Sequence, residues 1–257
     1  MQVNIHQDRM LVISDLHMGC PLFKQVHTLE KFFEFVKQNK FNLCINGDGI
    51  DLSQSSLMQM SRDVPIIFQQ IAQVRSLGLK VYYVVGNHDI ILEHFLQDWG
   101  LFELMPFMNL TTKGKRIRIE HGHLYDSRYV ASPTAFKWLE IMGGTLLRFT
   151  PSFYHLYKWF EKQFYGTDIV GTGGLRGEDP AYMRAVSELL QRGFDAVIFG
   201  HTHRPGVVKL EQGKVYINPG SWIHNTYFVQ IQNGQVELRE FKVSKVSGVS
   251  SALVYNR

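Results

Sequence analysis

The chain has 257 residues, of which 45% are hydrophobic and 19% charged, with a formal net charge of +4. This is ordinary globular composition, with enough apolar residues for a sizeable core, on a mildly basic chain compatible with anionic or phosphorylated substrates. No run of five or more like charges calls for nucleic acid, and no apolar run approaches the roughly 18 residues of a membrane-spanning helix.

Leu11-Val12-Ile13-Ser14 reads as a short buried strand that delivers Asp15 and His17 into the loop after it. Leu29, Phe32, Phe33 and Val36 keep helical spacing and predict a surface helix from Leu29 to Phe41. The apolar run from Phe41 to Ile45 predicts a second strand, ending in Asn46-Gly47-Asp48-Gly49-Ile50-Asp51. Ile66, Ile67, Ile71, Val74 and Leu77 mark a second amphipathic helix stopped by Gly78. A third strand, Leu79 to Val85, runs into Gly86-Asn87-His88-Asp89. Strand, helix, strand, helix, strand implies parallel right-handed units, whose ligands bind beyond the strands' C-terminal ends.

Ile91 to Trp99 is a short helical stretch, and Lys115 to Glu120 an alternating strand that leads into His121-Gly122-His123. Residues 124–180 change character. Twelve of the chain's 33 aromatic residues lie between Tyr125 and Tyr165, and glycines follow at 171, 173 and 174. We read 124–180 as a mostly helical insertion within a single domain spanning 1–257. A helix from Ala181 to Arg192 precedes the strand Asp195–Phe199 and Gly200-His201-Thr202-His203. Val207–Lys209, Lys214–Asn218, Thr226–Gln232 and Gln235–Val243 predict antiparallel strands, with Asn233-Gly234 as a hairpin turn. The tail from 244 to 257 receives no assignment. Cys44 reads as a small buried hydrophobe, and a disulfide to Cys20 stays open. Without a secretory signal at the N-terminus, the expectation is a reduced, cytosolic protein.

Carboxylates, imidazoles and an amide oxygen, each placed just after an apolar run, are the donors that divalent cations need. Singly, each has a mundane explanation: Asp15 and Asp51 as turn formers, Asn87 as a left-handed residue, His201 and His203 as solvated histidines. Jointly, coincidence does not place five such clusters after five strand candidates. Two cations about 3.5–4 Å apart, sharing one carboxylate, would polarise phosphoryl oxygens and generate hydroxide at neutral pH.

Asp-x-His, Gly-Asp-x-x-Asp, Gly-Asn-His-Asp, His-Gly-His and Gly-His-Thr-His, in this order between residues 15 and 203, resemble the signature of the calcineurin-like binuclear metallophosphoesterases. The resemblance implies a four-layer α/β/β/α sandwich with a helical lid insertion. It implies two divalent ions, Mn²⁺ first with Fe, Zn, Ni or Mg as alternatives. Asp15, His17, Asp48 and His203 would hold one ion, and Asp48, Asn87, His121 and His201 the other. His88 matches the family's histidine that faces the substrate phosphate, with Asp89 orienting its ring. Arg204 and His123 are candidate substrate contacts, a surface salt bridge and a hydrogen bond to a ligand being the competing readings.

Within that superfamily the chain most resembles the UDP-2,3-diacylglucosamine pyrophosphatase-like branch, on Gly200-His201-Thr202-His203-Arg204-Pro205, Gly220-Ser221-Trp222 and the long insertion. That branch implies a nucleotide-lipid substrate and peripheral membrane contact through the lid, at the inner face of the membrane. Trp138, Phe149, Phe153, Trp159 and Phe160 among basic residues suit an interfacial helix, and equally a lid packed on the body. Two positions depart from the branch, which usually carries Arg in place of His88 and a Phe-Glu-x-Trp pattern where this chain has Ile50-Asp51-Leu52-Ser53. Both departures leave the metal chemistry intact and bear on the substrate. The alternatives are a phosphodiesterase or phosphatase for nucleotides or single-stranded nucleic acid, and a metal-binding scaffold with an idle site. A nucleic-acid platform is disfavoured by Asp126, Glu140 and Glu161 among the basic residues.

Overall fold

The computed structural model describes residues 4–256 except 21, 52–54, 56, 96–99, 135–137, 139–141, 143–177, 179 and 247–248. Most of the expected insertion therefore lies outside the described residues, including its glycine-rich exit.

Among the described residues the strands form a seven-stranded and a six-stranded sheet. In the first, β2 (Arg9–Ile13), β3 (Asn42–Asn46), β4 (Val81–Val84) and β5 (Glu103–Met105) pair in parallel. β11 (Tyr227–Gln232), β12 (Gln235–Val246) and β13 (Val249–Asn256) extend it antiparallel from β2. In the second, β1 (Asn4–His6) lies parallel to β6 (Phe107–Thr112), which pairs antiparallel with β7 (Lys115–Glu120). β7 and β8 (Ala196–Phe199) run parallel, β8 pairs in parallel with β10 (Val215–Asn218), and β9 (Gly206–Lys209) closes the edge antiparallel to β10.

The packing makes four layers. Met10, Val12, Cys44 and Val84 of one sheet meet Leu110, Ile117, Ile119 and Ile198 of the other in a core between the sheets. Helices α1 (Val26–Gln38) and α2 (Leu57–Ser76) cover the outer face of the first sheet. Past the short helix α3 (Ser127–Ala131), helix α4 (Pro180–Gln191) covers the second through Tyr182, Val186 and Leu189. Strands covered on both faces are apolar throughout, so β2, β3 and β4 read as continuous hydrophobic runs. Cys20 and Cys44 are both buried free thiols.

The helix predicted at Leu29–Phe41 runs from Val26 to Gln38 and buries the four residues the spacing selects. Phe32 sits at its centre, 5.1 Å from the Trp222 ring, 5.2 Å from Phe228 and 5.3 Å from Phe241. Phe32→Ala should therefore destabilise the fold by about 3–5 kcal/mol, measured as a lower midpoint of urea unfolding.

Three expectations need correction. β10 is antiparallel to β9 but parallel to β8, because the chain returns from β9 along the far side of β8. The tail left unassigned forms the end of β12 and all of β13, an antiparallel pair at the sheet edge. The helical stretch expected after Asp89 is a 3-10 helix over Ile90–Phe95, with residues 96–99 outside the described residues, and the strands β5 and β6 that follow were not foreseen.

Candidate metal centre

Five strands deliver the candidate ligands: β2 leads to Asp15 and His17, β3 to Asp48, β4 to Asn87 and His88, β7 to His121, and β8 to His201 and His203. The loops are tied to one another by backbone bonds. Asp15 N–H donates to Gly47 O at 3.1 Å, His17 N–H to Asp48 O at 2.8 Å and Gly200 N–H to His121 O at 3.0 Å.

The local backbone is bent to suit. Among the described residues, nine non-glycine residues have positive φ, and five of them are Asp15, His17, Asp48, His201 and His203. Each such residue costs about 1–3 kcal/mol, a strain that gathers where function needs it. Two glycines allow the close approach. A Cβ on Gly86 would stand 2.2 Å from Asp48 Oδ1, and one on Gly200 would stand 2.1 Å from Ser14 Oγ and 2.6 Å from Asp15 Oδ2.

The donor atoms converge in two groups. In the first, His17 Nε2 lies 3.1 Å from His203 Nε2 and 3.9 Å from Asp15 Oδ1, and His203 Nε2 lies 3.3 Å from Asp15 Oδ1. In the second, His121 Nε2 lies 3.2 Å from Asp48 Oδ2 and 3.2 Å from Asn87 Oδ1, which is itself 2.8 Å from His201 Nδ1. Asp48 Oδ2 also lies 3.9 Å from His17 Nε2, so this one oxygen faces both groups. Asp15-His17-His203 and Asp48-His121-His201 each bring three ligand atoms within 4.8 Å of one another. So does His17-Asp48-His88, which makes His88 a competing ligand on distance alone.

The electrostatics are those of a cation site. Burial opposes charge on Asp48, yet His121, His88 and His17 hold its carboxyl well below the usual range. Burial likewise opposes ionisation of Asp15, and His121 and His203 outweigh it. Two buried carboxylates that stay ionised among imidazoles and a neutral amide oxygen make a donor set that divalent ions fit.

Burial alone would lower the pKa of His121, but Asp48 and Asp15 raise it from 6.5 to about 9. Its Nδ1 donates to Asn46 O at 2.9 Å, which leaves Nε2 to receive the proton or the cation. Cation affinity should therefore climb with pH up to about 9, and uptake at pH 7 should release a proton from His121. Calorimetry in buffers of different ionisation enthalpy reads that release directly. The protonated ring also stabilises the metal-free fold, by an amount complete below pH 6.5 and lost as pH rises through about 9.

The surrounding residues depart from the sequence reading in two places. Asp89 was expected to orient the His88 ring. Its carboxylate instead accepts from Gly86 N–H at 2.6 Å, Gly49 N–H at 3.0 Å and the Tyr83 hydroxyl, fastening the β3 and β4 loops together. Burial and the nearby Asp48 charge push its pKa up to about 7. The ring partner of His88 is Asp51, whose Oδ1 lies 3.2 Å from Nδ1, while its Oδ2 lies 3.5 Å from His17 Nδ1. Burial opposes charge on Asp51 as well, and its two histidine partners win, holding the carboxyl below the usual range. The second Asp of Gly-Asp-x-x-Asp was the available signal for this role.

His123 is buried; neither ring nitrogen has a hydrogen-bond partner among the described residues, and the Tyr129 ring stands edge-on at 5.2 Å. Burial first, then His121 and His201, lower its pKa to about 3, so the ring is neutral. Arg204 lies half-buried beside His203. Sequence reasoning also missed Ser221, whose hydroxyl donates to Asp15 O at 2.9 Å. Asn218 was missed too; its amide donates to Gly200 O at 3.2 Å and to Thr202 Oγ1 at 2.9 Å.

Such a sandwich, with carboxylate, imidazole and amide donors gathered at its strand ends, defines a metal-dependent hydrolase of phosphoesters. A family model described as calcineurin-like phosphoesterase matches residues 9–205. The chain belongs to the calcineurin-like phosphoesterase family. It is 24% identical over 247 residues to the UDP-2,3-diacylglucosamine hydrolase of Psychromonas ingrahamii, covering 90% of this chain and 96% of that protein. It is 23% identical over 253 residues to the uncharacterized metallophosphoesterase YhaO of Bacillus subtilis, covering 87% of this chain but only 57% of YhaO's length. Among solved structures, Chaetomium thermophilum Vps29 aligns over 98% of this chain and 97% of its own, at 14% identity and a TM-score of 0.47.

Proposed function

We propose that the protein is a binuclear phosphoesterase or pyrophosphatase whose substrate is a nucleotide joined through a diphosphate to a lipid-bearing sugar. The observation that carries the binuclear reading is the position of Asp48 Oδ2, 3.2 Å from His121 Nε2 on one side and 3.9 Å from His17 Nε2 on the other. Asp15, His17, Asp48 and His203 would hold one divalent ion, Mn²⁺ being our choice, and Asp48, Asn87, His121 and His201 the second. Bound there, the pair supplies charge to polarise a phosphoryl oxygen and to make a water nucleophilic at neutral pH.

The chain's own groups do the rest. Asp51 holds His88 by Nδ1, so that Nε2, 4.0 Å from Asp48 Oδ2, is the atom left to meet the phosphoryl group. From there it stabilises charge on the phosphoryl oxygens or passes a proton to the leaving oxygen. Arg204, next in the chain after His203, adds a positive charge for the second phosphate.

Two observations support the lipid-linked substrate. The Psychromonas relative bears the name of an enzyme acting on UDP-2,3-diacylglucosamine. Among the described residues, six of the seven exposed large hydrophobic side chains are Met58, Ile91, Leu124, Val130, Trp138 and Met142. All six lie in segments that leave the ligand-bearing ends of β3, β4 and β7, where acyl chains or a membrane surface would meet them. No helix among the described residues is long and apolar enough to cross a membrane.

Mn²⁺-loaded protein offered UDP-diacylglucosamine, mononucleotides, cyclic nucleotides and single-stranded DNA should turn over the first fastest. Preference for a nucleotide without acyl chains would replace the lipid reading with a phosphodiesterase. Inertness towards all four and towards a generic phosphodiester would favour an idle metal-binding scaffold.

A further inference from the structure

The two nitrogens of His201 face different partners. Nδ1 lies 2.8 Å from Asn87 Oδ1, in the second group of donors, and Nε2 lies 3.1 Å from Asp126 Oδ2. Asp126 is almost fully buried, as is the side chain of His201. A buried carboxylate needs hydrogen-bond donors, and the imidazole N–H provides one. An imidazole carries a single N–H when neutral, so the nitrogen that donates to a carboxylate decides which one keeps its lone pair.

We propose that Asp126 is a positioning residue for the second cation: by accepting the Nε2–H of His201 it fixes the tautomer whose Nδ1 lone pair faces that ion. The proposal rests on the binuclear reading and deepens it, because it assigns a determinant of cation affinity to a residue outside the ligand set.

The competing role is structural. Asp126 immediately precedes α3, and Val130 N–H donates to Asp126 O at 2.9 Å, so the residue also starts that helix. A cap alone does not account for the contact. Aspartate caps a helix equally well at an exposed position, whereas here the carboxylate is turned inward onto a ring 75 residues away in sequence. Asp126 also stands where the chain leaves the sandwich for the 124–180 segment. The seating of His201 and the start of that segment thus share one side chain.

The two roles separate by substitution. Asp126→Ser keeps a capping hydroxyl but is too short to reach Nε2, while Asp126→Asn keeps both the cap and an acceptor of the right length. In the metal-free protein Asn87 Oδ1 competes for a proton on Nδ1, so nitrogen NMR should show a larger share of the Nε2–H tautomer of His201 in wild type and in Asp126→Asn than in Asp126→Ser. In Mn²⁺ titrations Asp126→Ser should bind the second ion about 10–100-fold more weakly, with the first unchanged. Asp126→Asn should recover most of that loss, and all three proteins should share one far-ultraviolet circular dichroism spectrum. Equal weakening of both ions, or of neither, in Asp126→Ser would overturn the proposal, as would an unchanged tautomer. A wild-type protein that takes up fewer than two ions overturns the binuclear reading instead, and the wild-type titration alone reveals it.

Discussion

Asp48→Asn should remove turnover and leave a protein that binds fewer than two divalent ions. The substitution is nearly isosteric, and the retained amide oxygen can still accept from His88 N–H, a bond now 2.9 Å long. What disappears is the charge. Asp48 does most to hold His121 at about 9 against burial, so without it, and with only Asp15 left to oppose burial, that ring gives up its proton more readily. The fold therefore survives, and circular dichroism should show it. The cations fare differently, because the oxygen facing both groups loses the charge that would neutralise them. The fall in affinity should exceed the about 10–100-fold that loss of an outer partner costs. Metal content after dialysis and turnover of a generic phosphodiester are the readouts. Retention of two ions at wild-type affinity would remove Asp48 from the bridging position.

Much of the architecture was legible because each motif is local. A strand followed by a tight loop needs only a short apolar run and a few turn residues, and β2, β3, β4, β7 and β8 supply both within a dozen residues each. Their gathering at one place follows from parallel pairing within each sheet. What escaped depends on partners distant in sequence. Asp51 and Asp89 stand equally near a motif, and only the register of β3 beside β4 decides which one reaches the His88 ring. Asp126 meets His201 because β7 and β8 are neighbours, a pairing across the whole insertion. β13 carries few strong strand formers and exists because the long β12 offers it an edge. Local propensity cannot report an edge that a distant segment provides.

His88→Ala tests the division of labour between holding cations and acting on substrate. His88 Nε2 lies 4.0 Å from Asp48 Oδ2, close enough that geometry alone admits it as a ligand. Two facts argue otherwise. His203 already completes the group with Asp15 and His17, at 3.3 and 3.1 Å. His88 Nε2 also stands farther from Asp48 Oδ2, at 4.0 Å, than His121 Nε2 does, at 3.2 Å. Removing the ring leaves Asp51 with His17 as a partner, so the carboxylate stays compensated and the first group keeps its geometry. The expected outcome is a kcat lowered by about 10²–10⁴-fold, the range for loss of a general acid, with KM little changed and both ions bound as in wild type. A variant that instead loses one ion would make His88 a ligand in place of His203, and His203→Ala would then retain both. The two titrations side by side decide which histidine completes the first group and which one is left to face the phosphate.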